Sequence, residues 1–382
     1  MNLLLVSLDS LRFDFVSRTN PQLCTPRFDA LSRAFAFSER CFSVSSATRP
    51  VHTTLFTGLY PFEHGVVGQR APGMRPGIPH LFGLFAEAGY QVGAFSQAAQ
   101  IFAGLDYAPW VQPLEPCALA AFLRASGPRL LFLHYWETHT PYGAADGKAL
   151  GDTARLLRQG RRLEVIAQYQ QAVERVFEER LAPLLAGLDL GEWMVLICGD
   201  HGESWTEDEL YHGQTLSNSV LRVPLYLHLP RSGNPPLTGP LVSLVEVFAT
   251  VEAAFGLRSG YRGYGRALWA SERPLPYLGQ LDPAAGKAEE GEDLLIGAPR
   301  PEERQWCLID GRRKFTCWEE SGRHRLEGTF TGEALPLSEG EVRVHLKAYG
   351  QVLAGSAYRH LPGPAPGPDP QLDLRLRELG YL

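Results

Sequence analysis

Residues 48–66 read TRPVHTTLFTGLYPFEHGV. Pro50 stands near the start of an apolar run that includes Leu55 and Phe56. Proline is tolerated in the first turn of a helix, where a backbone N–H has no partner in any case. A helix therefore begins near Thr48, with the Thr48 hydroxyl at the positive end of its dipole. Unpaired N–H groups there favour a phosphoryl oxyanion. A threonine hydroxyl is a weak nucleophile at neutral pH, so it needs a metal ion or a base to approach the alkoxide. Taken alone, T-x-P-x-H reads as an ordinary threonine cap on a buried helix. Other segments of the chain change that reading.

Residues 2–8, NLLLVSL, form an apolar run of strand length, and Asp9 follows at once. A carboxylate at the carboxyl end of a buried parallel strand sits where open α/β sheets place their ligands. Residues 193–203, WMVLICGDHGE, repeat the device: a strand-like run ends in Gly199, then Asp200 and His201. A carboxylate and an imidazole at one strand end are ordinary ligands for Mn²⁺ or Zn²⁺. Residues 130–142, LLFLHYWETHTPY, carry an apolar strand into His134, Glu137 and His139, followed by a Pro-Tyr turn signal. His212, in YHGQTL, precedes the strand-like LRVPLYLHLP. The acid after a strand, the T-x-P-x-H helix and the DHG strand, in that chain order, form a far more specific pattern than any one of them.

Together these residues resemble the core signature of the alkaline phosphatase and sulfatase superfamily. Sulfatases of that group carry C-x-P-x-R ahead of TG-x-YP-x-x-HG, with the cysteine converted to formylglycine. Counted back from Thr57-Gly58, this chain has Thr48 at the cysteine position, keeps Pro50, and has His52 where the arginine would stand. That pattern resembles the phosphodiesterase and phosphotransferase branches, whose nucleophile is threonine. VSLDSLRFD is similar to the superfamily's DxLRxD segment, which makes Asp9 a metal ligand by resemblance. Sulfatases commonly have two adjacent aspartates there, whereas Asp9 is followed by Ser10. One carboxylate fewer favours a smaller or softer ion than Ca²⁺, so Mn or Zn is preferred, with Mg or Ca left open. The resemblance makes Asp9, Thr48, Asp200 and His201 the metal ligands.

His139 and Glu137 resemble the superfamily's acid-x-His-x-P-Y segment, whose histidine contacts the ester oxygens or, in two-metal branches, binds a second ion. His212 resembles the histidine of an HG pair ahead of RVPL, where some sulfatases have a lysine. A histidine in that place can donate to a phosphoryl oxygen, protonate a leaving group or bind metal. Two arrangements stay open. Glu137, His139 and His212 converge on a second ion, or the site holds one ion with those groups as donors; one ion is favoured. The catalytic candidates are Thr48, His139 and His212, and the substrate-binding candidates are Arg12, His52 and Glu137. Arg12 either reaches a phosphoryl oxygen as a bidentate donor or pairs with Asp14 at a helix start. His64 reads as a structural part of the loop.

Composition is that of a large globular enzyme: 382 residues, 45% hydrophobic, formal net charge −6. There is no basic footprint for nucleic acid, so the partner expected is a small anionic ester drawn by local metal charge rather than by the overall field. No apolar run approaches the ~20 residues that span a bilayer. The first residues begin a strand with no leader-like region, which points to the cytoplasm. The six cysteines are scattered and read as reduced thiols. None stands in C-x-P-x-R: Cys24 begins CTPRF, with the arginine one place early, and TPRFDAL resembles the superfamily's TPNLDxLA helix start. Whether the chain forms a homo-oligomer stays open.

Strands and helices alternate, which predicts an α/β, three-layer α/β/α fold with a mostly parallel central sheet. Helices are expected from Thr25-Pro26 to about Phe35, over 79–89, over about 153–185, and over LVSLVEVFATVEAAFG. Residues 1–270 form the expected catalytic domain. Residues 271–382 form a smaller antiparallel α+β subdomain with an exposed loop at 283–303, an Asp-Gly hairpin in WCLIDGRRKFTCW, a further strand and helix over 323–348, a Pro-rich linker at 362–370 and a terminal helix. The function expected is metal-dependent hydrolysis of a phosphate ester, a phosphodiester or a phosphomonoester, through a phospho-threonine intermediate. The rivals are sulfate- or phosphonate-ester hydrolysis, transfer to an alcohol acceptor, and an inactive binding protein on the same scaffold.

Overall fold

Strand residues with alternate side chains on opposite faces, both faces apolar, can only be buried between two layers. Leu3, Leu5, Phe132, Met194 and Leu196 join one hydrophobic cluster, whereas Leu4, Val6, Leu133, Val195 and Ile197 join a second. The continuous apolar runs are therefore the middle of a three-layer α/β/α structure. The computed structural model describes residues 1–382 apart from 72, 144–146, 207–208, 231–236, 238–240, 271–275, 284–302, 359 and 364–382.

In chain order the strands are β1 (Asn2–Leu8), β2 (Ala36–Phe42), β3 (Gln91–Ser96), β4 (Val111–Pro113), β5 (Arg129–Tyr135), β6 (Trp193–Gly199), β7 (Ser204–Trp205), β8 (Leu210–Tyr211), β9 (Arg222–His228), β10 (Val242–Ser243), β11 (Tyr277–Leu281), β12 (Gln305–Ile309), β13 (Arg313–Trp318) and β14 (His324–Gly328). The main sheet has the order β10-β2-β9-β6-β1-β5-β3-β4. Every neighbouring pair is parallel except β2–β9 and β6–β9, so β9 alone runs against the others. The sheet is mostly parallel, as the alternation of elements predicts.

The register of the central strands builds the site. Leu8 pairs with Tyr135 on one side and Gly199 on the other. Asp9 and Asp200, the next residues, therefore leave the sheet side by side at its carboxyl edge. The Thr48–Thr57 helix packs over the first cluster and ends at Gly58, whose φ of 71° is left-handed. A Cβ there would also lie 2.8 Å from Phe248 Cβ, so glycine is required twice over.

The helices are more broken than the periodicity suggests. Pro26–Ser32 and Leu81–Glu87 are shorter than expected. The 153–185 stretch is helix Arg162–Arg175, continued by a wider π turn at Val176–Leu181 and by Ala182–Ala186, with a separate helix, Gly147–Arg158, before it. LVSLVEVFATVEAAFG opens with β10, and only Glu246–Phe255 is helical. β2 and β4 carry no clear signal in the sequence, because AFSERCF is half polar and lies between a helix and a loop.

The second sheet, β11-β12-β13-β14, is antiparallel throughout and contains the expected Asp-Gly hairpin. Helix Glu339–Gly355 starts with a Ser338/Glu341 capping box and stacks Tyr349 on Trp306. Trp306 and Phe315 belong to the same hydrophobic cluster as Leu3. Gln280 accepts from the Phe62 amide and Tyr60 from the Leu278 amide, so this sheet braces the loop that follows the Thr48 helix. The Pro-rich linker, the terminal helix and nearly all of the 283–303 loop lie outside the described residues. Among the described residues, no helix is long and apolar enough to cross a membrane.

Gly202 follows the DH pair, and a Cβ on it would lie 2.0 Å from the Ser219 carbonyl oxygen. We predict that Gly202→Ala destabilises the fold by about 1–3 kcal/mol through this overpacking. Urea melts compared with wild type measure it, and an unchanged midpoint would disprove the close approach.

Candidate active site

Asp9 and Asp200 are both fully buried. Backbone donors hold them in place. The Ser10 and His201 amides donate to Asp200 Oδ1 at 3.0 and 2.7 Å. Ser10 reaches that position with φ 58°, a left-handed conformation uncommon for a residue with a side chain. Its hydroxyl donates to Asp9 Oδ1 at 3.0 Å, and the Thr138 hydroxyl donates to the Asp9 carbonyl at 2.5 Å.

Thr48 is the first residue of its helix, at the positive end of the helix dipole; in this turn the Arg49 amide donates to Gln69 Oε1 and the Val51 amide to the Ala47 carbonyl. Its Oγ1 lies 3.4 Å from Asp9 Oδ2 and 3.3 Å from His201 Nε2. The next residue fastens the helix from behind: the buried Arg49 guanidinium donates to the carbonyls of Ile101, Ala103 and Ala71. Thr48, Asp9, Asp200 and His201 thus meet at one point, although they come from β1, the Thr48 helix and β6.

Residues 3–74 match the family described as Type I phosphodiesterase / nucleotide pyrophosphatase. The phosphonate monoester hydrolase of Agrobacterium radiobacter matches with TM-score 0.69 and 14% identity, over 94% of this chain and 96% of that one. A 2-O GAG sulfatase matches with TM-score 0.70 and 15% identity, over 97% of this chain and 96% of that one. The chain has the alkaline phosphatase/sulfatase superfamily fold. A lipoteichoic acid synthase from Listeria monocytogenes matches with TM-score 0.62 and 14% identity, over 95% of this chain and 93% of that one. No curated protein matches the sequence.

Counting protons tests whether this superfamily-type cluster suits a cation. His201 Nδ1 lies 2.9 Å from the Gly202 carbonyl, which can only accept, so the ring proton sits on Nδ1. His201 Nε2 then points its lone pair at Asp200 Oδ2 (3.6 Å) and Asp9 Oδ1 (3.8 Å). Asp200 Oδ2 is buried with no hydrogen-bond partner. Two carboxylates and an imidazole lone pair thus face one another, with the Thr48 hydroxyl as the neighbouring donor. Burial pushes both carboxyls above their ordinary range; the Asp9 charge adds to this at Asp200, and His201 opposes it at both. Burial opposes charge on His201, yet Asp200 and Asp9 outweigh it and raise its pKa. Two buried carboxyls, an imidazole and a hydroxyl facing one another are a donor set whose charge a divalent cation would suit. Ligand-type atoms of Asp9, Asp200 and His201 lie within 4.8 Å of one another, as do those of His52, His134 and Asp200.

Above this cluster, His139 and His212 come together, their ring centroids 4.8 Å apart, with His212 4.4 Å from His201. His139 Nδ1 donates to the Thr140 carbonyl and its ring stacks on Trp136. His212 Nδ1 lies 3.0 Å from Glu203 Oε1, and the Tyr142 hydroxyl holds the other Glu203 oxygen.

Glu137 does not join them: its carboxylate pairs with Arg180 at 2.8 Å. The second-ion trio of Glu137, His139 and His212 is therefore not assembled: the His139 amide closes a turn onto the Trp136 carbonyl, so Glu137 and His139 lose the common face that strand residues two apart share. Arg12 takes the structural of its two readings: Nε and Nη2 pair with Asp14, and Nη1 donates to the Glu203 carbonyl. His52 lies beneath the cluster, with Nδ1 donating to the Thr48 carbonyl at 2.8 Å and standing 3.8 Å from Asp200 Oδ2. Burial and then the neighbouring His134 bring its pKa down to about 3. His64 is structural, receiving the Val66 amide on Nδ1. The motifs give no role to His134, Ser96 or Glu203. Glu203 is legible as the acid in DHGE and His134 as a histidine within the apolar β5 run, while Ser96 sits in an apolar strand where nothing marks it.

A carboxyl whose pKa is raised by folding carries a penalty that is absent below its unfolded value, near 4, and grows as pH rises above it. We predict that Asp200→Asn, which keeps the acceptor for the Ser10 and His201 amides, raises the melting temperature of chelator-treated protein more at pH 8 than at pH 5, as checked by calorimetry. Asp200 also raises the pKa of His201, His52 and His134; losing that support costs the variant stability at pH 5 rather than at pH 8, so the histidines act in the same direction. A variant gain that shrinks as pH rises would contradict the charge reading.

Proposed function

We propose that the protein is a metal-dependent hydrolase of phosphate esters, phosphodiesters or phosphomonoesters, with Thr48 as nucleophile. The observation that carries this reading is the Thr48 hydroxyl, at a helix N-terminus, touching both Asp9 and His201. The fold supports it, as does the phosphodiesterase family match over residues 3–74.

Asp9, Asp200, His201 and Thr48 would hold the cation, which supplies positive charge for the alkoxide and the phosphoryl oxygens. One ion suits the donor set, and oxygen with one imidazole favours Mn or Zn. The positive end of the helix dipole lies at Thr48, where it favours the negative charge of a phosphoryl group. Thr48 Oγ1 forms the new bond to phosphorus while the bond to the departing alcohol breaks in line, and its proton has Asp9 Oδ2 and His201 Nε2 within reach. With Nδ1 held by Glu203, His212 exchanges protons with a substrate through Nε2, which suits it to protonate the departing oxygen. His139 lies beside it as a neutral ring whose one proton is held on Nδ1 by the Thr140 carbonyl, so it bounds the ester's side of the site without donating to it. Water then cleaves the phospho-threonine, and an alcohol in its place would make the enzyme a transferase.

Sulfate and phosphonate esters form the second reading, favoured by the structures titled phosphonate monoester hydrolase and sulfatase. Thr48 in place of a cysteine leaves a formylglycine route without its precursor.

We predict that Thr48→Ala lowers turnover of the best substrate in a p-nitrophenyl panel of phosphate, phosphodiester, phosphonate and sulfate esters by at least about 10³-fold. Bound metal should stay near the wild-type content, because three ligands remain. Steady-state kinetics with elemental analysis checks both, and substantial activity in the variant would falsify Thr48 as the nucleophile.

A further inference from the structure

His134 has no part in the scheme above, yet it is fully buried on β5 and touches Asp9. Its Nε2 lies 3.1 Å from Asp9 Oδ2, and its Nδ1 lies 2.7 Å from Ser96 Oγ on β3. Ser96 Oγ accepts the Ala98 amide at 3.0 Å and keeps its own proton, which it can donate to His134 Nδ1. The imidazole then carries its proton on Nε2 and donates it to Asp9 Oδ2. The other tautomer would set a lone pair against a carboxylate oxygen in a site without water-exposed surface. The register makes the chain geometrically natural: Ser96 pairs with His134, and His134 with Ser7, across adjacent parallel strands.

The same count bears on the His52–His134–Asp200 group. A cation there would need a lone pair from His134, but one ring nitrogen donates to Asp9 and the other receives the Ser96 proton. His134 therefore serves Asp9 rather than an ion of its own.

We propose that Ser96 and His134 form a hydrogen-bonded chain that fixes the orientation of Asp9 as a cation ligand, making His134 a positioning residue of the site. This rests on Asp9 being a ligand, as proposed above. Outer partners of metal ligands typically contribute about 10–100-fold in metal affinity.

The test is calorimetric titration of full-length protein with Mn²⁺ and, separately, Zn²⁺, with melting temperatures recorded alongside. His134→Leu should bind about 10–100-fold more weakly than wild type. His134→Gln, whose amide nitrogen can stand near the Nε2 position, should recover most of that loss, and Ser96→Ala should weaken binding less than His134→Leu. Leu133→Ala, on the opposite face of the same strand, should lower the melting temperature without changing affinity. Wild-type affinity in His134→Leu overturns the proposal, as does a Gln variant no better than Leu. Loss of one bound equivalent per chain in His134→Leu would instead make His134 a ligand, which also overturns it. If wild type binds neither ion, the metal-dependent function falls first and this inference with it.

Discussion

Two carboxylates buried side by side set the terms for the rest of the molecule. Asp9 and Asp200 leave adjacent parallel strands at the same level, and neither touches bulk water. Burying one unpaired charge is costly, and burying two of the same sign is more so. The surroundings answer with donors: two backbone amides on Asp200 Oδ1, the Ser10 hydroxyl and the His134 imidazole on Asp9, and the Thr48 hydroxyl at the head of a helix. Even so, Asp200 Oδ2 keeps no partner. That provision and one open oxygen fit the cation proposed for this site.

Holding these groups requires rigidity from several directions. The three central strands supply it by register, since parallel neighbours cannot shift without turning their core faces out. The Thr48 helix is pinned by Arg49 to three carbonyls and stopped abruptly at Gly58. The antiparallel sheet of the C-terminal part reaches back to the loop after that helix through Gln280 and Leu278. Residues distant from the chemistry thus determine where the threonine oxygen stands.

The histidines illustrate how context assigns roles to one residue type. His201 is pulled toward protonation by two carboxylates, while His52 and His134, a few ångströms below, are kept neutral by burial. His212 has a glutamate on Nδ1 and the His201 ring beside it. Desolvation and near charges compete at each ring, and the balance differs over very short distances.

The sequence alone determined the layered sheet, because continuous apolar runs separated by helical stretches have only one economical way to be buried. It also pointed to Asp9, Thr48, Asp200 and His201: strand ends and a helix start mark their positions, and the resemblance of the surrounding motifs joined them into one proposed set. Tertiary structure decided what spacing cannot carry: that Glu137 turns to Arg180 and Arg12 to Asp14, and that Ser96 and His134 reach Asp9 across three strands. A polar residue inside an apolar run looks the same whether its neighbour across the sheet is a leucine or a carboxylate, and only the pairing of distant strands chooses between them.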